Sequence, residues 1–314
     1  MKEFLKSRKN IGVKIISVLL ILVLLINILY SVVLSFSLFK KDGWGRFEEY
    51  LYGKQLESVS EWVTEKSEKI QIANKEGENL TALEIKNEHI SHSYIIICHQ
   101  YGGSPESMED YAKHFYDLGF NIILPHMRGH IESPYNEISF GWKDKSDIVD
   151  WIKKIIKEDK KARIALFGVS LGANAVTLAA AEELPENVRL IISDSCYTSL
   201  DNLMKNYIKN ETILSSLVGR SIISAYAKNK IDEKTKNADT VAQLKSIELP
   251  IMFINGEKDT AVPPLVSKML YENCDAEGVE EVIIENGTHG RNLEADAENY
   301  WANIDGFILN YLGI

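Results

Sequence analysis

The stretch Phe167-Gly168-Val169-Ser170-Leu171-Gly172 decides how this chain is read. It stands between an apolar run, Ala162 to Phe167, with the character of a buried strand, and the small-residue run Ala173 to Glu183, with that of a helix. A Gly-x-Ser-x-Gly turn from strand to helix is so tight that its central residue sits at a strained backbone angle. Side chains at the two glycines would strike the adjoining strand and helix. The turn lifts the serine oxygen above the sheet at a helix N-terminus, where unpaired N–H groups and partial positive charge face a developing oxyanion. The stretch therefore predicts a nucleophile at Ser170, with the N–H of Leu171 as one oxyanion donor.

A serine in that position needs a base and an acid. Pro250 to Ile254 reads as a buried strand and runs into Asn255-Gly256-Glu257-Lys258-Asp259-Thr260-Ala261-Val262-Pro263. The next strand, Val282 to Ile284, runs into Asn286-Gly287-Thr288-His289-Gly290. Loops at the carboxyl ends of strands are where functional groups collect in open α/β sheets. Three such loops deliver Ser170, Asp259 and His289 in that chain order. His289 is the only one of seven histidines that follows Ser170. It would take the serine proton and return it to the leaving group, while Asp259 holds its tautomer and stabilises the imidazolium. Asp194, at the end of the strand Leu190 to Ser193, is the rival acid. Asp259 also has the bland reading of a turn or helix-cap residue. His89 and His92 fall in a polar turn and His114 in a helical run, while His126 and His130 flank Arg128-Gly129 in a loop.

The strand Tyr94 to Cys98 leads into His99-Gln100-Tyr101-Gly102-Gly103-Ser104. A paired-glycine loop after the third strand is where a second oxyanion donor arises, and the backbone of Tyr101 is assigned to it. A plain glycine turn would fit the same fold.

Together these segments resemble the α/β-hydrolase fold enzymes of the serine-aminopeptidase-like and prolyl-oligopeptidase-like branch, and among them the membrane-anchored cell-surface hydrolases of low-GC Gram-positive bacteria. The resemblance covers residues 68–314. It rests on His99-Gln100-Tyr101-Gly102-Gly103, Arg128-Gly129-His130, Gly141-Trp142, Gly168-Val169-Ser170-Leu171-Gly172, Gly256-Glu257-Lys258-Asp259 with Val262-Pro263, and His289. It implies a Ser-Asp-His triad and no cofactor. The family usually has His-Gly where this chain has His99-Gln100. If that position needs a positive φ, Gln100 carries a backbone cost of order 1 kcal/mol; otherwise the turn is shaped differently and the Gln100 amide lines the site.

Ile15 to Phe39 carries no charge, long enough to span a bilayer and longer than the apolar part of a cleaved signal peptide. Lys2, Lys6, Arg8, Lys9 and Lys14 precede it against Glu3 alone, so the positive-inside rule puts the N-terminus in the cytoplasm and the bulk of the chain outside. Residues 1–41 carry seven basic groups and one acidic group. The net charge of the whole chain is −10, which leaves −16 on residues 42–314. A surface that acidic argues against nucleic acid as a partner. Cys98, Cys196 and Cys274 do not form a disulfide framework, and no spacing of Cys and His reads as a metal site.

The expected organisation is a basic cytoplasmic tail over 1–14, a transmembrane anchor over 15–39, a juxtamembrane linker or helix over 40–67, and an α/β-hydrolase domain over 68–314. Gly43 to Gly45 mark the membrane exit. Phe47, Leu51, Leu56, Val59 and Trp62 at near-helical spacing predict an amphipathic helix that packs on the domain or serves as a stalk. Lys69 to Ala73 and Leu80 to Ile85 bracket a turn and read as a hairpin. From Tyr94 onward strands and helices alternate, which argues a mostly parallel sheet covered on both faces. Helical stretches are expected at Met108–Leu118, Asp147–Ile156, Leu171–Glu183, Pro264–Cys274 and Glu294–Leu312. The insertion 198–247, with Tyr207-Ile208, Ile213-Leu214, Leu217-Val218 and Ile222-Ile223 among polar residues, reads as a small helical cap or as an ordinary surface helix pair.

The functional expectation is a membrane-anchored, extracytoplasmic serine hydrolase acting on an ester through an acyl-enzyme. A peptide bond is the second choice of substrate, so the acyl substrate is a small molecule or a peptide. An acyltransferase would use the same triad. A non-catalytic surface binding protein would keep the fold without turnover, with Gln100 the one feature in its favour.

Overall fold

The computed structural model describes residues 2–41, 45–52, 61–211 and 216–313. Gly43, Leu56, Val59 and the Ile213-Leu214 pair lie outside them. One sheet is built from β1 (Glu68–Ala73), β2 (Asn79–Ile85), β3 (Ser93–Cys98), β4 (Asn121–Pro125), β5 (Arg163–Val169), β6 (Val188–Asp194), β7 (Ile251–Gly256) and β8 (Val279–Ile284). Its spatial order is β1-β2-β4-β3-β5-β6-β7-β8. The β1–β2 hairpin and the β2–β4 pair are antiparallel, and every pairing beyond them is parallel.

Parallel neighbours require crossovers, and helices supply them. The helices are α1 (Lys2–Phe39), α2 (Gly45–Tyr52), α3 (Glu61–Lys66), α4 (Glu109–Asp117), α5 (Asp144–Glu158), α6 (Leu171–Ala180), α7 (Leu200–Glu211), α8 (Ser216–Ile231), α9 (Thr240–Leu244), α10 (Pro264–Glu272), α11 (Asn292–Ala295) and α12 (Ala297–Leu312). Alternate strand residues feed opposite faces of the sheet. In β5, Ile164 and Leu166 join the core that includes Trp151 of α5 and Val176 of α6. Ala165, Phe167 and Val169 join the core that includes Phe115 of α4 and Phe307 of α12. All five side chains are buried, so a two-faced sheet explains why the run carries no polar alternation.

One expectation on local structure is corrected. The single helix expected over Glu294–Leu312 is two, parted at Asp296, whose carboxylate accepts the Asn299 N–H and caps α12. Of the linker or helix expected over 40–67, the described residues contain α2 and α3, with Phe47 and Leu51 buried on the domain. The uncharged segment is part of a longer helix, α1, and its final turns do not stand free. Ser31, Leu34, Ser35, Leu38 and Phe39 are buried, the helix packs along α8, and the Phe39 carbonyl accepts the Ile138 N–H at 2.8 Å. Upstream, Val13 to Ile26 includes a run of exposed Ile, Leu and Val side chains.

Candidate active site

The turn after β5 is strained as the sequence demands. Ser170 has φ 54° and ψ −107°, a region that costs a non-glycine residue of order 1–3 kcal/mol. Its N–H donates to the Asp194 carbonyl at 2.8 Å. A Cβ on Gly168 would overlap the Gly172 backbone, and one on Gly172 would overlap the Cys98 carbonyl. That contact between α6 and the end of β3 sets the loop after β3 beside the serine. Leu171 opens α6, so its N–H belongs to the first turn, which has no intrahelical acceptor.

Asp259, in the loop after β7, and His289, in the loop after β8, converge on Ser170. His289 Nδ1 lies 2.7 Å from Asp259 Oδ2 and Nε2 lies 2.7 Å from Ser170 Oγ. The carboxylate only accepts, so Nδ1 carries the imidazole proton and Nε2 is left to accept from the serine hydroxyl. The other carboxylate oxygen of Asp259 is fixed by the N–H groups of Ala261 at 2.9 Å and Val262 at 2.7 Å. The side chains of Ser170, Asp259 and His289 are all buried.

Asp194 is not at the imidazole. It accepts from Tyr300 Oη at 2.8 Å, Asn292 Nδ2 at 2.6 Å and Ser195 Oγ at 2.9 Å. Ser195 Oγ in turn accepts the Gly290 N–H at 3.1 Å. The rival acid is thus a buttress under the loop that carries His289. Burial pushes its carboxyl up to about 6 against the pull of its three donors.

The loop after β3 is held by two neutral histidines. His99 Nδ1 donates to the Gln100 carbonyl and its Nε2 accepts the Met127 N–H. His130 Nδ1 donates to the Arg128 carbonyl and its Nε2 accepts the Gly102 N–H at 3.0 Å. Burial lowers both rings, His130 to about 4 and His99 well below its ordinary value, and keeps each an acceptor at Nε2. The segment carrying His130 is anchored by Arg128, whose guanidinium pairs with Asp147 and Glu76 and lies on the Tyr135 ring. The positive φ of the turn after β3 falls on Gly102 (φ 74°), and Gln100 is not among the residues with positive φ. The glutamine therefore carries no left-handed backbone cost. The remaining histidines lie elsewhere: His92 pairs with Asp159 and His114 stacks on Trp301.

Sequence reasoning missed two parts of this site. The Asp194 buttress assembles from three separate segments, and no spacing in the chain announces it. The second is Tyr52 of α2. Its ring lies 5.7 Å from that of His289 at an interplanar angle of 20°, and its hydroxyl is set against the Ser170 side chain and the Tyr101 backbone. The approach is a contact rather than a well-aligned hydrogen bond. Aromatic character in a short amphipathic helix signals packing, not which loop it packs on.

A family model described as alpha/beta hydrolase fold matches residues 94–218. The chain is 25% identical over 226 residues to the uncharacterised protein YqkD of Bacillus subtilis, covering 71% of this chain and 73% of that one. It is 24% identical over 244 residues to the uncharacterised membrane protein YNL320W of Saccharomyces cerevisiae, covering 77% and 79%. Among solved structures it superposes on the Pyrococcus furiosus esterase Pf2001 with a TM-score of 0.68 and 19% identity, over 81% of this chain and 96% of that one. Strand order, crossover helices and family match agree: this is a protein of the α/β-hydrolase fold.

Proposed function

We propose that the protein is a membrane-anchored serine hydrolase that cleaves an ester by way of an acyl-enzyme on Ser170. The observation that carries this reading is the pair of 2.7 Å contacts linking Ser170, His289 and Asp259. In the first step Ser170 Oγ attacks the substrate carbonyl carbon as its proton passes to His289 Nε2. The tetrahedral oxyanion accepts from the N–H groups of Leu171 and Tyr101. The C–O bond to the leaving alcohol breaks and His289 returns the proton to that oxygen. Water then repeats the sequence against the acyl-enzyme, releasing the acid and restoring Ser170. Asp259 holds the imidazole tautomer and offsets its positive charge.

The anchor is α1, which has the length and apolar composition to cross a membrane from Gly12 to Phe39. With its final turns seated on the domain, the part from Gly12 to Tyr30 still spans about 28 Å, close to the thickness of a bilayer core. Lys and Arg upstream of it orient the N-terminus to the cytoplasm and the catalytic domain to the outside.

Purified full-length protein in detergent, assayed on p-nitrophenyl esters and on aminoacyl p-nitroanilides, tests the reading. Ester turnover that falls about 10⁶-fold in Ser170→Ala is expected. Turnover unaffected by that change would refute the assignment. Anilide cleavage exceeding ester cleavage would make the protein a peptidase. Added alcohol or amine that captures the acyl group in preference to water would make it an acyltransferase.

A further inference from the structure

Tyr52 touches both halves of the proposed machinery, the His289 ring with its face and Ser170 with its hydroxyl. An oxyanion formed at Ser170 has to sit close to Oγ while accepting from the N–H groups of Leu171 and Tyr101. The Tyr52 ring lies stacked on the His289 imidazole at 5.7 Å, over the side of the site from which a substrate would reach Ser170. Burial, with the Glu48 and Asp259 carboxylates nearby, pushes the phenol above its ordinary value and keeps it neutral.

The rest of α2 is seated over the same turn. The Phe47 ring meets Tyr101 edge-on at 4.9 Å and Tyr207 of α7 at 4.8 Å. Leu51 and the Glu48 side chain are buried, and a Cβ on Gly102 would meet the Glu48 carboxylate at 2.9 Å. Beneath this cover Ser170 is 3% exposed, His289 2% and Tyr52 6%. With α2 in place, Ser170 and His289 offer almost no surface to a substrate carbonyl.

We propose that α2 is an intramolecular inhibitor, with the Tyr52 ring laid over His289 and Phe47 over the turn at Tyr101, and that the enzyme turns over only from a state in which α2 has left. The proposal rests on Ser170 being the nucleophile. The observed rate is then the intrinsic rate multiplied by the fraction of molecules with α2 released.

The test is the second-order rate of fluorophosphonate labelling of the full chain in detergent, with thermal melting to establish that each variant is folded. Tyr52→Ala and Phe47→Ala are expected to raise the rate by about tenfold or more. Tyr52→Phe, which keeps the ring and loses the hydroxyl, is expected to give a smaller rise. Adding Ser170→Ala is expected to abolish labelling in every background. Should Phe47→Ala fail to fold, the milder Phe47→Leu takes its place. Wild-type protein that labels as fast as the folded variants, or faster, would overturn the inhibitory role and leave the hydrolase reading intact. Slower labelling in Tyr52→Phe would make Tyr52 a donor and likewise overturn it. No labelling in any folded variant would overturn both readings.

Discussion

At the scale of single residues, two carboxylates near the serine do different work because their partners differ. Asp259 reaches the imidazole at 2.7 Å, whereas Asp194 gathers donors from Tyr300, Asn292 and Ser195. Asp259→Asn removes the acceptor that fixes the tautomer, and kcat on an ester is expected to fall on the order of 10⁴-fold with little loss of stability. Asp194→Asn leaves three buried donors without their carboxylate, at a cost of about 1–3 kcal/mol for each group left unsatisfied, and is expected to act mainly on the melting temperature. The Asp194 carboxyl is raised to about 6 in the folded protein from an ordinary value of 3.8. The folded state therefore holds that proton more tightly than the unfolded chain. The stability this contributes is present below pH 3.8 and is lost as pH rises through 6. The deficit of Asp194→Asn relative to wild type should accordingly be larger at pH 5 than at pH 7.5 in denaturant melts. A deficit that grows with pH would contradict this account of Asp194.

At the scale of elements, the turn after β3 depends on neighbours remote in sequence. The Gly102 N–H needs a neutral His130, and the His130 segment needs Arg128 on Asp147. The His130 ring is lowered from 6.5 to about 4 by burial. The sign is opposite to that of Asp194: the unfolded chain binds the proton more readily, so this stability is present above pH 6.5 and is lost as pH falls through 4, about 3 kcal/mol over the window. Equilibrium melts of His130→Gln should show a deficit that shrinks between pH 7.5 and pH 4.5. A constant deficit would mean that the ring does not titrate as its burial demands. This turn also marks the reach of sequence reasoning. The strand and the paired glycines were legible because they are local. The two histidines that hold the turn were not, because His99 and His130 meet only after β3 and β4 pair. The elbow was fully legible, since its strain and its two glycines arise within six residues. The amphipathic pattern of Phe47 and Leu51 showed that a helix buries a face, but the surface that receives it is made by Tyr101, Phe140 and Tyr207.

Across the whole molecule, a sheet with helices on both faces brings three loops to one edge, and the alternation of strands and helices after Tyr94 was enough to foresee it. What sequence patterning did not convey is how closely the N-terminal helix is joined to the catalytic domain. Tyr101 Oη donates to the Leu38 carbonyl at 3.1 Å, and Phe39 packs on Phe140. The end of α1, the cover α2 and the turn after β3 therefore form one packed cluster, so the proposed anchor and access to Ser170 share the same contacts. The central claim is that Ser170 is an activated nucleophile within that cluster. The measurement that tests it most directly is fluorophosphonate modification of the full chain and of its Tyr52→Ala variant, with the modified peptide mapped by mass spectrometry. The account predicts a single adduct on Ser170, slow in the wild type, faster in the variant and strongly slowed by His289→Ala. An adduct on another residue, or none on Ser170 in folded Tyr52→Ala protein, would contradict it.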